Sequence, residues 1–312
     1  MQKFGFVFPG QGSQKLGMLA DLASNNTSIS GTFDEASAAI GLDLWETCQD
    51  DPDNILDQTH ITQPVLLTAS VAIARLWREQ GGSAPAILAG HSLGEYSALV
   101  CAGVLSLEDG VRVVHQRGKS MQAAVAEGTG KMAAIVGLEN YQINEICDVA
   151  EAVGAVSAAN FNSPGQTVIA GETAAVDRAI TLCKEAGAKR ALPLNVSVPS
   201  HCALMSPAAK ELETVLEGIE FNSPHTPVVQ NVSAGIYADP EQIKQNLIRQ
   251  LYEPVLWVDC VRVMHKAGVS KLIECGPGKV LCGLIKRIES DIVCFGSEDE
   301  ASLNSAIAEV SA

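Results

Sequence analysis

Residues 84–101 constrain the fold of this chain more than any other stretch. An apolar run over 84–89 reads as a short strand, Gly90-His91-Ser92-Leu93-Gly94 is a G-x-S-x-G turn, and 95–101 reads as a helix. A serine on such a strand-to-helix elbow presents its Oγ at the carboxyl edge of a sheet, and glycines two residues to either side let the chain turn sharply without a Cβ clash. The positive end of the following helix and the amide of Leu93 then face any anion that forms there, which suits an acyl-transfer oxyanion. A Gly-rich turn with Ser92 as an ordinary helix N-cap is the alternative. The strand before and the helix after favour a nucleophile.

The chain has 312 residues, enough for one large domain with an insertion or for two domains. Strands are predicted at 3–9, 228–231, 271–274 and 292–295. Helices are predicted at 16–23, 31–40, 53–56, 64–80, 107–126, 204–216, 239–251, 258–267, 279–288 and from 301. Short apolar strands alternating with helices predict an α/β architecture, a parallel sheet covered on both faces. Residues 131–195 follow a different order: strand 131–136, helix 140–151, strands 153–159 and 166–170, helix 173–186, strand 189–194. That βαββαβ order is ferredoxin-like, and Gly128-Thr129-Gly130 and 196–199 bracket it as an insertion. The expected division is a catalytic domain of 1–127 and 199–312 with 128–198 inserted.

Charge and cysteine usage exclude several classes. The net charge of −15 argues against nucleic acid and anionic membrane surfaces as partners. No apolar run reaches the roughly 18 residues of a membrane span, and Met1-Gln2-Lys3-Phe4 leads straight into a strand, so the cytoplasm is the default location. The nine cysteines are odd in number and lack C-x-x-C or Cys/His ligand spacing, so they read as reduced core residues and no metal is expected. Gly10-Gln11-Gly12-Ser13-Gln14 matches neither phosphate-binding glycine pattern and reads as a backbone N–H donor loop after the first strand.

Two further residues carry chemistry. Ser106 caps the helix after the elbow, on which Val113, Arg117 and Met121 fall on one inward stripe. An inward arginine one helix on from a nucleophile suits a planar substrate acid group, or else pairs with a structural carboxylate or snorkels to water. Of the six histidines, His91 adjoins Ser92 and should point away from it, and His60, His115, His225 and His265 lie in or beside helices and loops elsewhere. His201 stands in the 198–203 loop at the domain junction, where a cleft would form. It is the candidate base, with a satisfied structural histidine as the alternative.

Seven motifs in one order then make the chain similar to the bacterial malonyl-CoA:acyl carrier protein transacylase family. They are Phe8-Pro9-Gly10-Gln11-Gly12-Ser13-Gln14, Gly90-His91-Ser92-Leu93-Gly94-Glu95, Arg117-Gly118 with Met121, Asn162-Ser163-Pro164-Gly165-Gln166, Val198-Pro199-Ser200-His201, Gln250-Leu251-Tyr252 with Pro254-Val255, and Gly276-Pro277-Gly278-Lys279-Val280-Leu281. The resemblance implies an α/β-hydrolase-like large domain with the ferredoxin-like one inserted. It implies Ser92 as nucleophile, His201 as base, the amides of Gln11 and Leu93 as oxyanion hole, and Arg117 as receptor of the malonyl carboxylate. It further implies that the main-chain carbonyl of Gln250 orients the histidine in place of a triad aspartate, and that Gln63 lies near the acyl pocket. Cys282, where threonine is expected, and Gln230 before Asn231 are small departures.

The implied reaction is a ping-pong transfer from malonyl-CoA to the pantetheine thiol of holo acyl carrier protein through a malonyl-serine, with CoA as substrate carrier and no metal or redox cofactor. An acidic carrier needs local positive charge on this acidic chain, and Lys189-Arg190 and Lys286-Arg287 are the candidates. A serine hydrolase using the same elbow is the rival enzyme, disfavoured by the inward Arg117 and by the lack of a prominent aspartate between Ser92 and His201. A non-catalytic carrier-binding module is the other rival.

Overall fold

A computed structural model describes residues 3–194, 196 and 198–311. Met1 and Gln2 of the predicted first strand approach, and Asn195 and Ser197 near the end of the predicted insertion, lie outside the described residues. Nine strands are described: β1 Lys3–Phe8, β2 Ile87–Gly90, β3 Gly130–Val136, β4 Val156–Ser163, β5 Gln166–Glu172, β6 Arg190–Pro193, β7 Val228–Val229, β8 Val269–Glu274 and β9 Val293–Gly296. They form two sheets, one of order β7-β2-β1-β8-β9 and one of order β4-β5-β3-β6.

The larger sheet is wholly parallel, and its side chains alternate between two cores. Phe4, Phe6 and Phe8 of β1 point into one, with Phe6 edge-on to Trp77 at 5.2 Å between ring centroids. Val7 points into the other with Ile87, Ala89 and Leu272. Each phenylalanine so buried is worth about 1.5–3 kcal/mol, which explains why the strands read as apolar runs with no polar face.

The long helix Thr59–Glu79 contains Pro64, which has no N–H to give to His60 O four residues earlier. His115 Nδ1 lies 2.7 Å from that carbonyl and satisfies it from the neighbouring helix Leu107–Ala123. These two helices approach closely at Gly118, where a Cβ would fall 2.4 Å from His60 Cα. That approach brings Arg117 beside Gln63.

The smaller sheet is antiparallel, with helices Asn140–Ala150 and Thr173–Glu185 covering one face, in the βαββαβ order expected. Its other face packs Met132, Val168 and Ala170 with Ala159, Cys202 and Leu204. β4 also bonds to the larger unit, Val255 N donating to Ala159 O at 2.9 Å and Phe161 N to Val255 O at 3.0 Å.

The helices predicted at 31–40 and 64–80 begin earlier, at Thr27 and Thr59, and two others are misplaced. Residues 53–56 are a turn, because Asp51 takes φ +43° and its Oδ1 accepts the amides of Ile55 and Leu56, folding the chain into an Asx-type loop. The helix in this region is Leu44–Gln49, capped by Asp43, whose Oδ1 accepts from Glu46 N at 2.8 Å. The helix predicted at 16–23 is Ala20–Asn25, since Gly17 at φ +75° and Leu19 at φ +63° break its first turn. Among the described residues, no helix is long and apolar enough to cross a membrane.

Candidate active site

Ser92 sits where β2 turns into the helix Leu93–Cys101, with φ 52° and ψ −107°. Holding a non-glycine residue there requires a rigid surround, and the glycines supply it by contact. A Cβ on Gly90 would fall 1.9 Å from Gly94 O, and one on Gly94 would fall 2.0 Å from Phe8 O. A Cβ on Gly10 would meet His91 O at 2.6 Å, so the Gly10–Gln14 loop is pressed onto the elbow. Leu93 opens its helix, and its N–H therefore has no carbonyl partner one turn back. The Gln11 side chain donates to Thr59 Oγ1 at 3.2 Å, tying the loop to the long helix.

His201 Nε2 is 2.7 Å from Ser92 Oγ, and Nδ1 is 2.6 Å from the main-chain carbonyl of Gln250. A carbonyl can only accept, so Nδ1 carries the proton and Nε2 is left to accept from Ser92. His201 N donates to Leu251 O at 3.0 Å, and the residue is held at φ +63°. Burial, and then the charge of Arg117, push its pKa down to about 3, against the opposing pull of the Gln250 carbonyl. His91 turns away as expected, its Nε2 2.7 Å from Asn162 Oδ1 of β4 and its ring edge-on to Trp257.

Arg117 is 1% exposed and closes the site. Its Nη1 donates to Gln63 Oε1 at 2.8 Å and its Nη2 to Gln250 Oε1 at 3.0 Å, with Ser92 Oγ 3.5 Å from Nη2. The Tyr96 ring lies under the guanidinium at 5.3 Å. No carboxylate bonds it among the described residues, and its Nε has no partner there. Neither alternative from the sequence describes this: the arginine is not paired to a structural acid and does not reach water. Two neutral amide oxygens orient it and leave its charge for something else.

Asn231 and Glu95 were not singled out from the sequence as site residues. Asn231 Oδ1 accepts from Ser92 N at 2.7 Å and Nδ2 donates to Gly90 O at 2.7 Å, bracing the elbow from below. A polar residue just after β7, the strand beside β2, was the available signal. Glu95 Oε2 accepts from Asn231 N and from Gln250 Nε2, each at 2.9 Å. Burial pushes its pKa up to about 7 despite those donors and the Arg117 charge.

Away from the site, Glu274, Cys282 and Cys294 place their ligand atoms within 4.8 Å of one another, a cluster that sequence spacing did not reveal. The Glu274 carboxylate accepts Leu281 N at 3.1 Å and Cys282 N at 2.8 Å, so it serves the start of the helix Val280–Ile288, whose positive end opposes a cation.

Residues 5–287 match the acyl transferase domain family. The malonyl CoA-acyl carrier protein transacylase of Escherichia coli strain K12 is 55% identical over 307 residues, covering 98% of this chain and 99% of that protein. An acyl carrier protein S-malonyltransferase structure from Vibrio cholerae superposes with a TM-score of 0.95 at 57% identity, covering 97% of this chain and 99% of that one. A malonyl-transacylase solved in complex with a type II PKS acyl-carrier protein superposes at 0.97 with 55% identity, covering 98% and 99%. The larger and smaller sheets are thus the α/β fold with a ferredoxin-like unit shared by these structures. The chain belongs to the acyl transferase family, among its malonyl CoA-acyl carrier protein transacylases.

Proposed function

We propose that this chain transfers a malonyl group from malonyl-CoA to the phosphopantetheine thiol of holo acyl carrier protein, in fatty acid biosynthesis in the bacterial cytoplasm. One observation carries the choice of acyl group: a fully buried guanidinium, oriented by two amide oxygens and the Tyr96 ring with no carboxylate bonded to it among the described residues, stands 3.5 Å from the Ser92 hydroxyl. His201 Nε2 takes the Ser92 proton as Oγ attacks the thioester carbonyl; the amides of Gln11 and Leu93 receive the oxyanion, and CoA leaves as thiol with the proton returned by His201. The carrier thiol then gives its proton to His201, attacks the ester and regenerates Ser92. Arg117 forks onto the malonyl carboxylate, with Gln63 and Gln250 fixing its plane. Both steps make and break bonds at the acyl carbon alone, so the reaction needs no redox group. In this reading residues 128–198 are an inserted domain that closes the cleft over the 1–127 and 199–312 unit.

The test is intact mass after brief incubation with malonyl-CoA, alone and then with holo carrier, with Ser92→Ala as control. The expected result is a malonyl adduct on wild type only, which persists until carrier is added and then moves to it. Free malonate released without an accumulating adduct would identify a hydrolase and overturn the reading.

A further inference from the structure

Arg117 is a buried cation whose hydrogen-bond partners, Gln63, Gln250 and Ser92, are all neutral, and a carboxylate, Glu95, stands one residue removed in its network. Gln250 stands between them. Its Nε2 donates to Glu95 Oε2 at 2.9 Å and to Ser92 O at 3.1 Å, and its Oε1 accepts from Arg117 Nη2 at 3.0 Å. An amide side chain can be turned either way, and the acceptor at Glu95 decides which way this one faces. Glu95 Oε2 also accepts from Asn231 N, so only the NH2 end of Gln250 fits against it, and the Gln250 oxygen is then aimed at the guanidinium. The main-chain carbonyl of the same residue receives His201 Nδ1. Glu95 also accepts Asn231 N, and Asn231 holds Ser92 N and Gly90 O, so the carboxylate anchors both the elbow and the arginine.

We propose that Glu95 is a positioning residue for substrate selection: its buried Oε2, fixed as an acceptor by Asn231 N, locks the Gln250 amide so that the Arg117 fork is aimed at the acyl pocket while remaining free of a direct ion pair. A carboxylate placed directly on Arg117 would occupy the fork and compete with the substrate acid. One placed behind an amide orients the guanidinium without an ion pair, and each Nη keeps a second N–H for the substrate. The inference rests on the reading that Arg117 receives a substrate carboxylate.

Two variants separate geometry from charge. Glu95→Gln keeps an oxygen where Oε2 stands and removes the charge; Glu95→Asp keeps the charge and withdraws the oxygen by one methylene. The readout is kcat and KM for malonyl-CoA and acetyl-CoA in single-turnover acylation of Ser92, with Arg117→Ala in parallel. The expected result is that Glu95→Asp lowers the malonyl-over-acetyl preference at least about tenfold, mainly through KM for malonyl-CoA, whereas Glu95→Gln stays within about threefold of wild type. Gln250→Met, which keeps the main-chain carbonyl under His201, is expected to lower the preference similarly, and it carries the test if Glu95→Asp does not fold. An unchanged preference in Glu95→Asp or in Gln250→Met, an equal fall for both acyl groups, or a Glu95→Gln variant as impaired as Glu95→Asp overturns the proposal. If Arg117→Ala alone loses the preference, the positioning role fails and the carboxylate reading survives. If Arg117→Ala retains it, the carboxylate reading falls and this inference with it.

Discussion

At the scale of single residues, the site holds two titratable groups that burial drives in opposite directions. His201 is pushed down to about 3 from 6.5, so the ring is neutral and its Nε2 unprotonated at any physiological pH. It contributes stability that is present above 6.5 and lost as pH falls toward 3. Glu95 is pushed up to about 7 from 4.5, so the folded protein binds a proton more tightly than the unfolded chain does. Its contribution is fully present below 4.5 and lost as pH rises through 7. Arg117 from the neighbouring helix, Tyr96 from its own helix and Cys260 from the helix Trp257–Lys266 face this carboxylate, and the arginine only partly offsets the desolvation. Glu95→Gln removes the titration. The variant is therefore expected to gain stability relative to wild type as pH rises from 5 to 8, read as the difference in urea midpoints at the two ends. A difference that is flat, or that shrinks with pH, would show that Glu95 ionises without cost and would contradict the assigned burial effect.

At the scale of elements, the elbow depends on contact between backbones rather than on turn propensity. Gly94 lies against Phe8 O and Gly90 against Gly94 O, so an alanine at Gly94 must push the Leu93–Cys101 helix away from β1. Gly12 differs: φ is +101° and nothing lies within 4 Å of an added Cβ, so an alanine there meets only backbone strain. Gly94→Ala is expected to cost about 3 kcal/mol and to abolish labelling of Ser92 by a serine-reactive phosphonate. Gly12→Ala should cost only about 1 kcal/mol. Denaturant midpoints and labelling stoichiometry decide it, and comparable losses in the two variants would refute the contact argument. Elements of this kind were readable in the sequence because their signals are local: the apolar runs of β1, β2 and β8, the Ser106 cap, the glycine spacing around Ser92. The helix Leu44–Gln49 escaped because Asp51 folds the following residues by a side-chain bond that composition does not announce. Ser92, Arg117 and His201 were readable as chemistry on a sheet edge, an inward stripe and a junction loop. Glu95 and Asn231 were not, since their roles depend on β7 lying beside β2, and the polar position just after β7 gains its meaning only from that neighbour.

At the scale of the molecule, the small sheet and the helix Val280–Ile288 bring distant basic residues together. Arg190 of β6 and Gln166 of β5 flank Val136 of β3 in register, so they lie roughly 10 Å apart across the strands. Arg287 Nη2 donates to Gln166 Oε1 at 3.0 Å, which draws the exposed Lys286-Arg287 pair from the Val280–Ile288 helix to that end of the small sheet. Lys189 is exposed and packs beside Gly137 at the same end. The other neighbour of Gln166 is Ser163, next to Asn162, whose side chain bonds His91 beside the nucleophile. The four cations therefore gather at the edge of the small sheet that touches the elbow, on a chain whose net charge is −15. An acidic carrier approaching such a chain is repelled at long range, so a local cluster of cations is needed to receive it, and we propose this rim as the docking surface for its thiol arm. Reversing Lys189, Arg190, Lys286 and Arg287 to glutamate is expected to raise KM for holo carrier about tenfold or more at low salt. It should also flatten the dependence of that KM on ionic strength, because the screened attraction is gone. Unchanged KM and unchanged salt slope in the reversed variant would move carrier docking to another face of the molecule.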